Sequence, residues 1–393
     1  MTPLRRDVAP PPGMLRGIMP RLFSVLLALG AASLAVARDH VVLLGTYTNT
    51  ASRGIYAVHL DGETGALSTP ELVAALPDPE FLALGPDAHT LYALTREKEP
   101  AGRQVGAIAS FRIEAGGRLT PLNTQATGRA SLTHLAVDAT GRMVVAASYG
   151  GGYVASFPLE ADGRLGALAT NLDQTGSLGP VKDRQNAPHP HSVTLSPDNR
   201  FAWVADLGLD RVFSYRLDPT RGTITPNESA DVDLPAGSGP RHTKFSPDGK
   251  SFYVLSELDA TITACRYDVE RGRPEAFQRI SLLPEGDPGR RSGSEIRIHP
   301  SGRFVYAANR FHNIIAVFAR DADTGALSRV EVVPSGGEIP RNFNLSPDGA
   351  WLVCAHQDSG NLTVFKVDPA TGRLTPVPQT VRVARAVCVL FLP

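Results

Sequence analysis

From about residue 39 onward the chain alternates between short apolar runs and polar turns, and the turns recur. One recurring turn appears as Gly85-Pro86-Asp87, Asp138-Ala139-Thr140-Gly141, Ser196-Pro197-Asp198, Ser246-Pro247-Asp248-Gly249, His299-Pro300-Ser301-Gly302 and Ser346-Pro347-Asp348-Gly349. An apolar run follows each, for example 251–255 and 304–308. Proline presets φ, aspartate bonds the local backbone and glycine tolerates positive φ, so this is hairpin chemistry. A second turn reads acidic-x-x-x-Gly-x-Leu, with glycines at Gly65, Gly117, Gly163, Gly222, Gly272, Gly325 and Gly372. Asp61, Asp218, Asp268, Asp321 and Asp368 lead five of its copies. Alternating segments such as 313–319 and 361–366 lie between the two turns and read as strands.

The second turn has seven copies spaced 52, 46, 59, 50, 53 and 47 residues apart, whereas the first has six. Four short strands in about 50 residues is the size of a propeller blade. The mismatch has a simple resolution. Residues 384–392 make a good innermost strand with no turn after it, and 41–47 a good second strand with none before it. Joined, they complete a seventh blade and remove the open sheet edges. The predicted fold is therefore all-β, a seven-bladed β-propeller closed by N- and C-terminal strands sharing one blade. The 59-residue spacing marks an insertion near 170–190, expected to be a surface loop.

Composition sharpens this picture in three ways. Gly and Pro make up 69 of 393 residues, a surplus that the recurring turns absorb without invoking disorder. Cys265, Cys354 and Cys388 are too few and too scattered for a disulfide framework or a zinc site. The overall balance of 39 basic against 39 acidic residues excludes a typical nucleic-acid binder. That balance is uneven along the chain. Arg5, Arg6, Arg16 and Arg21 precede an apolar run over 22–37 that ends in Ala35-Val36-Ala37, a small-x-small cleavage pattern. Residues 1–37 are thus expected to be a cleavable signal peptide, directing 38–393 to the periplasm or outside the cell. The apolar run is short of the roughly 20 residues a membrane span needs. Without four Arg and one Asp, the mature chain has 35 basic and 38 acidic residues.

Strand 1 of a blade precedes the Pro-Asp turn and strand 2 follows it, so the start of one and the end of the other share the opposite face. Seven places before each turn residue stand Glu80, Thr133, His191, Arg241, Ser294 and Arg341; six before, Phe81, His134, Ser192, His242, Glu295 and Asn342. Nine after stand Arg96, Tyr149, Leu207, Glu257, Arg310 and Gln357, with Tyr47 equivalent in the closing blade. A packing role would repeat like residues. These positions hold different residues, most of them polar or ionisable, which indicates a site at one mouth of the channel. No His-x-x-x-His pair supports catalytic zinc, so no metal or cofactor is expected. The Gly150-Gly151-Gly152 run reads as a turn, and no Gly-x-Ser-x-Gly elbow occurs.

A carboxylate among arginines and histidines suits hydrolysis or formation of a small anionic ester. Glu257 or His191 could deprotonate water, and the residues alone leave that choice open. Arg241 or Arg310 could stabilise the oxyanion, and Arg341 with His242 could hold a substrate anion.

These residues also carry a resemblance. Gly45-Thr46-Tyr47-Thr48, Pro188-His189-Pro190-His191, Asp206-Leu207-Gly208-Leu209-Asp210, Gly239-Pro240-Arg241-His242, Ser294-Glu295-Ile296, Asn309-Arg310 and Pro340-Arg341-Asn342-Phe343 look like the propeller lactonase family. That family includes 6-phosphogluconolactonases of the seven-bladed type and carboxymuconate cyclases. The resemblance implies a metal-independent lactone site with catalytic His191, Arg241, Glu257 and Arg310. Tyr149, His189, His242, Glu295 and Arg341 would contact substrate. The chain departs from the family pattern at Ser256-Glu257 and at Asp78-Pro79-Glu80-Phe81, where Glu80 adds a negative charge. The expected partner is a small, anionic lactone met by a monomer, with neither nucleic acid nor, after leader cleavage, membrane. An exported enzyme would favour a neutral sugar lactone or a muconolactone over a cytosolic sugar phosphate. The alternatives are a muconate-type cyclase and a non-catalytic propeller binding a ligand or protein at the same mouth.

Overall fold

The computed structural model describes residues 38–284 and 286–393, together with Ala9, so the expected leader lies outside the described residues. Seven antiparallel sheets are present, each with four strands in succession. Two carry an additional short strand, Val232–Asp233 and Val381–Arg382, which the repeat pattern does not reveal. In the closing sheet, Ala386–Phe391 pairs antiparallel with His40–Thr46, placing Val389 opposite Leu44. The last strand of the chain thus takes the innermost place, as the mismatch of turn counts predicts.

Second strands such as Ser251–Ser256 and Phe304–Asn309 are buried at every position, because a neighbouring blade covers each face. Seven apolar clusters follow. Each lies between two consecutive blades, including one that joins the last blade to the closing one through Val42, Val389, Trp351 and Val364. Fully burying side chains of this kind is worth about 1.5–3 kcal/mol each, so the seams between blades carry most of the stabilisation.

Both recurring turns serve as predicted, and the structure adds a reason for the second. In the first, Ser246 Oγ donates to Asp248 Oδ1 at 2.5 Å while accepting from the Ser251 amide at 3.0 Å. In the second, the glycine also packs on the preceding blade. A Cβ at Gly272 would overlap the Phe201 ring, and one at Gly65 would overlap Trp351. The Tyr253 hydroxyl donates to Gly325 O at 2.7 Å and that of Tyr306 to Gly372 O at 2.9 Å, locking the same seams.

Candidate active site

At the mouth opposite the Pro-Asp turns, the innermost strands of several blades start with a β-bulge. Register slips between Pro190 and Ser192, between Pro240 and His242, between Gly293 and Ile296, and between Pro340 and Asn342. Proline fits the first position of such a strand because it owes no ladder hydrogen bond there. The extra residue leaves the ladder and its side chain is re-aimed. His191, Arg241 and Arg341 are these extra residues, and all three line one narrow recess with Glu80, Thr133 and His242.

Glu257, at the end of strand 2 in the Arg241 blade, is 2% exposed and anchors the cations. Arg241 Nε donates to its Oε2 at 3.0 Å and Arg310 Nη2 approaches the same oxygen at 2.7 Å. Its Oε1 accepts from Arg184 Nη2. Burial alone would raise the Glu257 pKa, but Arg310, Arg241 and Arg184 hold it well below the usual carboxylate range. It is a fixed anion. His191 differs. Among the described residues its Nδ1 is buried without a partner, and burial and the Arg241 guanidinium hold its pKa well below the ordinary histidine value, so the ring is neutral.

The other predicted residues fall at different depths. Tyr149 stacks on His189 with ring centroids 4.2 Å apart and lies edge-on to His191 at 5.5 Å. His189 is held at the rim, with Nδ1 2.9 Å from Tyr149 O and Nε2 3.0 Å from Asn186 Oδ1. His242 touches Arg241 Nη1 through Nε2 at 3.1 Å and Glu295 Oε1 through Nδ1 at 3.0 Å. Glu295 is fully buried behind the recess, where it also accepts from Asn342 Nδ2 and from the Ile296 amide at 3.0 Å. Glu295, which the resemblance expects to contact substrate, thus lies buried against His242 beneath the lining residues. Leu207 is fully buried, and Arg96 pairs with Asp78 at 3.2 Å, apart from the Glu257 cluster.

Arg184 is the residue that register arithmetic misses. It sits on the inserted segment, which is more than a surface loop. Thr170–Asp173 is the outer strand of its blade, and Gln185 is buried, donating to Leu207 O at 2.9 Å. The outlying 59-residue spacing was the signal for it. A second overlooked association is Tyr47 with Glu80 and Arg341. The Arg341 guanidinium lies 5.5 Å from the Tyr47 ring, and Tyr47 and Glu80 outweigh burial to raise the Arg341 pKa. Burial, opposed by Arg341, raises the Glu80 pKa from its ordinary value. Gly150–Gly152 forms a hairpin turn in which the Gly152 amide donates to Ser148 O at 3.0 Å, as expected. Among the described residues, no three His, Cys, Asp or Glu side chains cluster as metal ligands.

Comparison with known proteins places this geometry among relatives. The family model described as lactonase, 7-bladed beta-propeller, matches residues 41–391. The 6-phosphogluconolactonase of Bacillus subtilis strain 168 is 38% identical over 90% of this chain and 98% of its own length. The solved structure of a periplasmic gluconolactonase from Pseudomonas aeruginosa is 32% identical with a TM-score of 0.84, covering 91% of this chain and 99% of that one. A Lactobacillus plantarum protein structure is also 32% identical, with a TM-score of 0.83 over 91% of this chain and all of that one.

Proposed function

The chain belongs to the seven-bladed β-propeller lactonase family and is a lactone hydrolase, and we propose that its substrate is a neutral sugar lactone met outside the cytosol. The observation that carries this reading is Glu80. It lines the same recess as Arg341 and offsets the guanidinium best placed to clamp a phosphate. Export rests on the basic, apolar and Ala35-Val36-Ala37 features of the leader. The similarity to a periplasmic gluconolactonase supports both points.

The mechanism we propose divides work between a fixed anion and a neutral base. Glu257 keeps Arg184, Arg241 and Arg310 aimed into the mouth. His191 accepts a proton from water as the hydroxide oxygen bonds to the lactone carbonyl carbon. Arg241 and Arg310 stabilise the oxyanion, which is the largest catalytic contribution such a site can make. When the carbonyl re-forms, the ring C–O bond breaks and the His191 proton passes to the leaving alkoxide. One water is consumed and one hydroxycarboxylic acid results, which ionises to the carboxylate and releases one proton. Glu257 is the poorer base because three guanidiniums hold it ionised.

A titrimetric assay of acid release above the spontaneous rate tests the substrate assignment, using glucono-1,5-lactone, its 6-phosphate and a muconolactone. The neutral sugar lactone should give the highest kcat/KM. Glu80→Ser should shift preference toward the phosphorylated substrate by about tenfold, the worth of one charge-assisted contact. A wild-type preference for the 6-phosphate or the muconolactone would overturn the substrate class.

A further inference from the structure

At the floor of the recess, rings meet across the channel: Phe81 packs on His134 with centroids 3.8 Å apart and edge-on to His242 at 6.3 Å, and His134 lies 5.4 Å from His242. Glu295 and Asn342 complete this layer. Beyond it, toward the Pro-Asp turns, lies a second chamber of about 260 Å³.

Four places before the turn residue, the ring of channel-lining residues reads Ala83, Ala136, Thr194, Lys244, Arg297 and Asn344, with Leu390 in the closing blade. Adjacent blades thus present two cations, and small or apolar side chains on the other side leave the space. Lys244 has no hydrogen-bond or ion-pair partner among the described residues, and burial with Arg297 nearby pushes its pKa down to about 8. Arg297 donates from Nε to Phe343 O at 3.2 Å and reaches Glu295 Oε2 at 3.4 Å. Among the described residues, Glu295 is the only carboxylate beside them, and it is already engaged by His242, Asn342 and the Ile296 amide. Two cations against one shared carboxylate leave the chamber with one positive charge in excess. An excess positive charge in a partly solvated recess attracts an anionic counter-ion.

We propose that this chamber is a second ligand site, separate from the lactone mouth, that binds a small organic monocarboxylate. Lys244 and Arg297 would hold the carboxylate, Asn344 and Thr194 offer further polar contacts, and Ala83, Ala136 and Leu390 accommodate a short apolar body. A preformed recess with a few convergent polar groups and an apolar wall is the ordinary form of such a site.

Hexanoate titrated calorimetrically into the full mature protein, with hexanol as the uncharged control, tests the proposal. Hexanoate should bind with one site per chain, and hexanol should not. Lys244→Met, which keeps side-chain length, should weaken binding by about tenfold or more, the loss expected for a charge-assisted contact. Ala136→Leu, which fills the chamber without touching charge, should weaken it comparably. Arg310→Ala, at the lactone mouth, should leave it intact. Binding that survives both chamber substitutions but is lost in Arg310→Ala would place the carboxylate at the lactone mouth and overturn the proposal. Absence of any hexanoate binding to the wild-type protein would overturn it equally.

Discussion

Glu257 is touched by three guanidiniums, while His191 faces the recess with an unpartnered Nδ1, and that contrast fixes their chemistry. A base works only while unprotonated. Because burial and the neighbouring Arg241 cation keep His191 neutral well below its ordinary pKa, the acid limb of kcat/KM should fall below pH about 6.5, the unperturbed histidine value. A pH–rate profile with that limb above 6.5 would contradict the assignment. Arg184 reaches the site from a partly exposed loop, so Arg184→Ala should raise KM more than it lowers kcat; steady-state kinetics read the split. Most of these residues were legible in the sequence because the turn fixes the register of every blade. Arg184 was not, since an insertion carries it outside that register. The depth of Glu295 was hidden as well, because a bulge changes which of two consecutive side chains faces the mouth.

Elements position these side chains through the loops that feed them. Asp206 Oδ1 accepts the amides of His189 and Gly208 at 2.8 Å and of Leu209 at 3.1 Å, tying the segment before His191 to the end of strand 2. Asp210 accepts the amides of Gly237 and Gly239, each at 2.7 Å, and so sets the entry to Arg241. The motif around 206–210, noticed in the sequence as part of a resemblance, is therefore a brace between two bulged strands. Asp206→Ala leaves three amides without their acceptor, at about 1–3 kcal/mol for a buried donor. Its urea midpoint should drop, and kcat/KM should fall with it as His191 loses its fixed approach. An unchanged midpoint would show that the brace is dispensable. The bulges themselves were not legible, although the prolines that open three of the strands mark where they begin.

Across the whole molecule, the seven glycines of the second turn count the blades better than the six Pro-Asp turns. The reason is physical: each lies at a seam, and the ring has seven seams. Gly272→Ala would force a methyl into Phe201 at a backbone φ of +61°. It should destabilise the protein by about 1–3 kcal/mol, as overpacking does. Calorimetric Tm should fall while kcat stays near wild type, because Gly272 lies far along the chain register from the mouth; a lost kcat at unchanged Tm would contradict this. The two additional outer strands left no comparable mark, since they pair at the edge of a blade and owe nothing to the repeat.

The proposed lactone hydrolysis depends most on His191 acting as the proton acceptor while Glu257 acts as the anchor for the arginines. One comparison separates these roles: kcat on glucono-1,5-lactone and Tm, measured together for wild type, His191→Asn and Glu257→Gln. His191→Asn should lose about 10²–10⁴-fold in kcat with little change in Tm, since its Nδ1 has no partner to lose. Glu257→Gln should lower kcat and Tm together, because it leaves buried guanidiniums uncompensated. A fully active His191→Asn variant, or a Glu257→Gln variant that is inactive yet as stable as wild type, would contradict the division of roles.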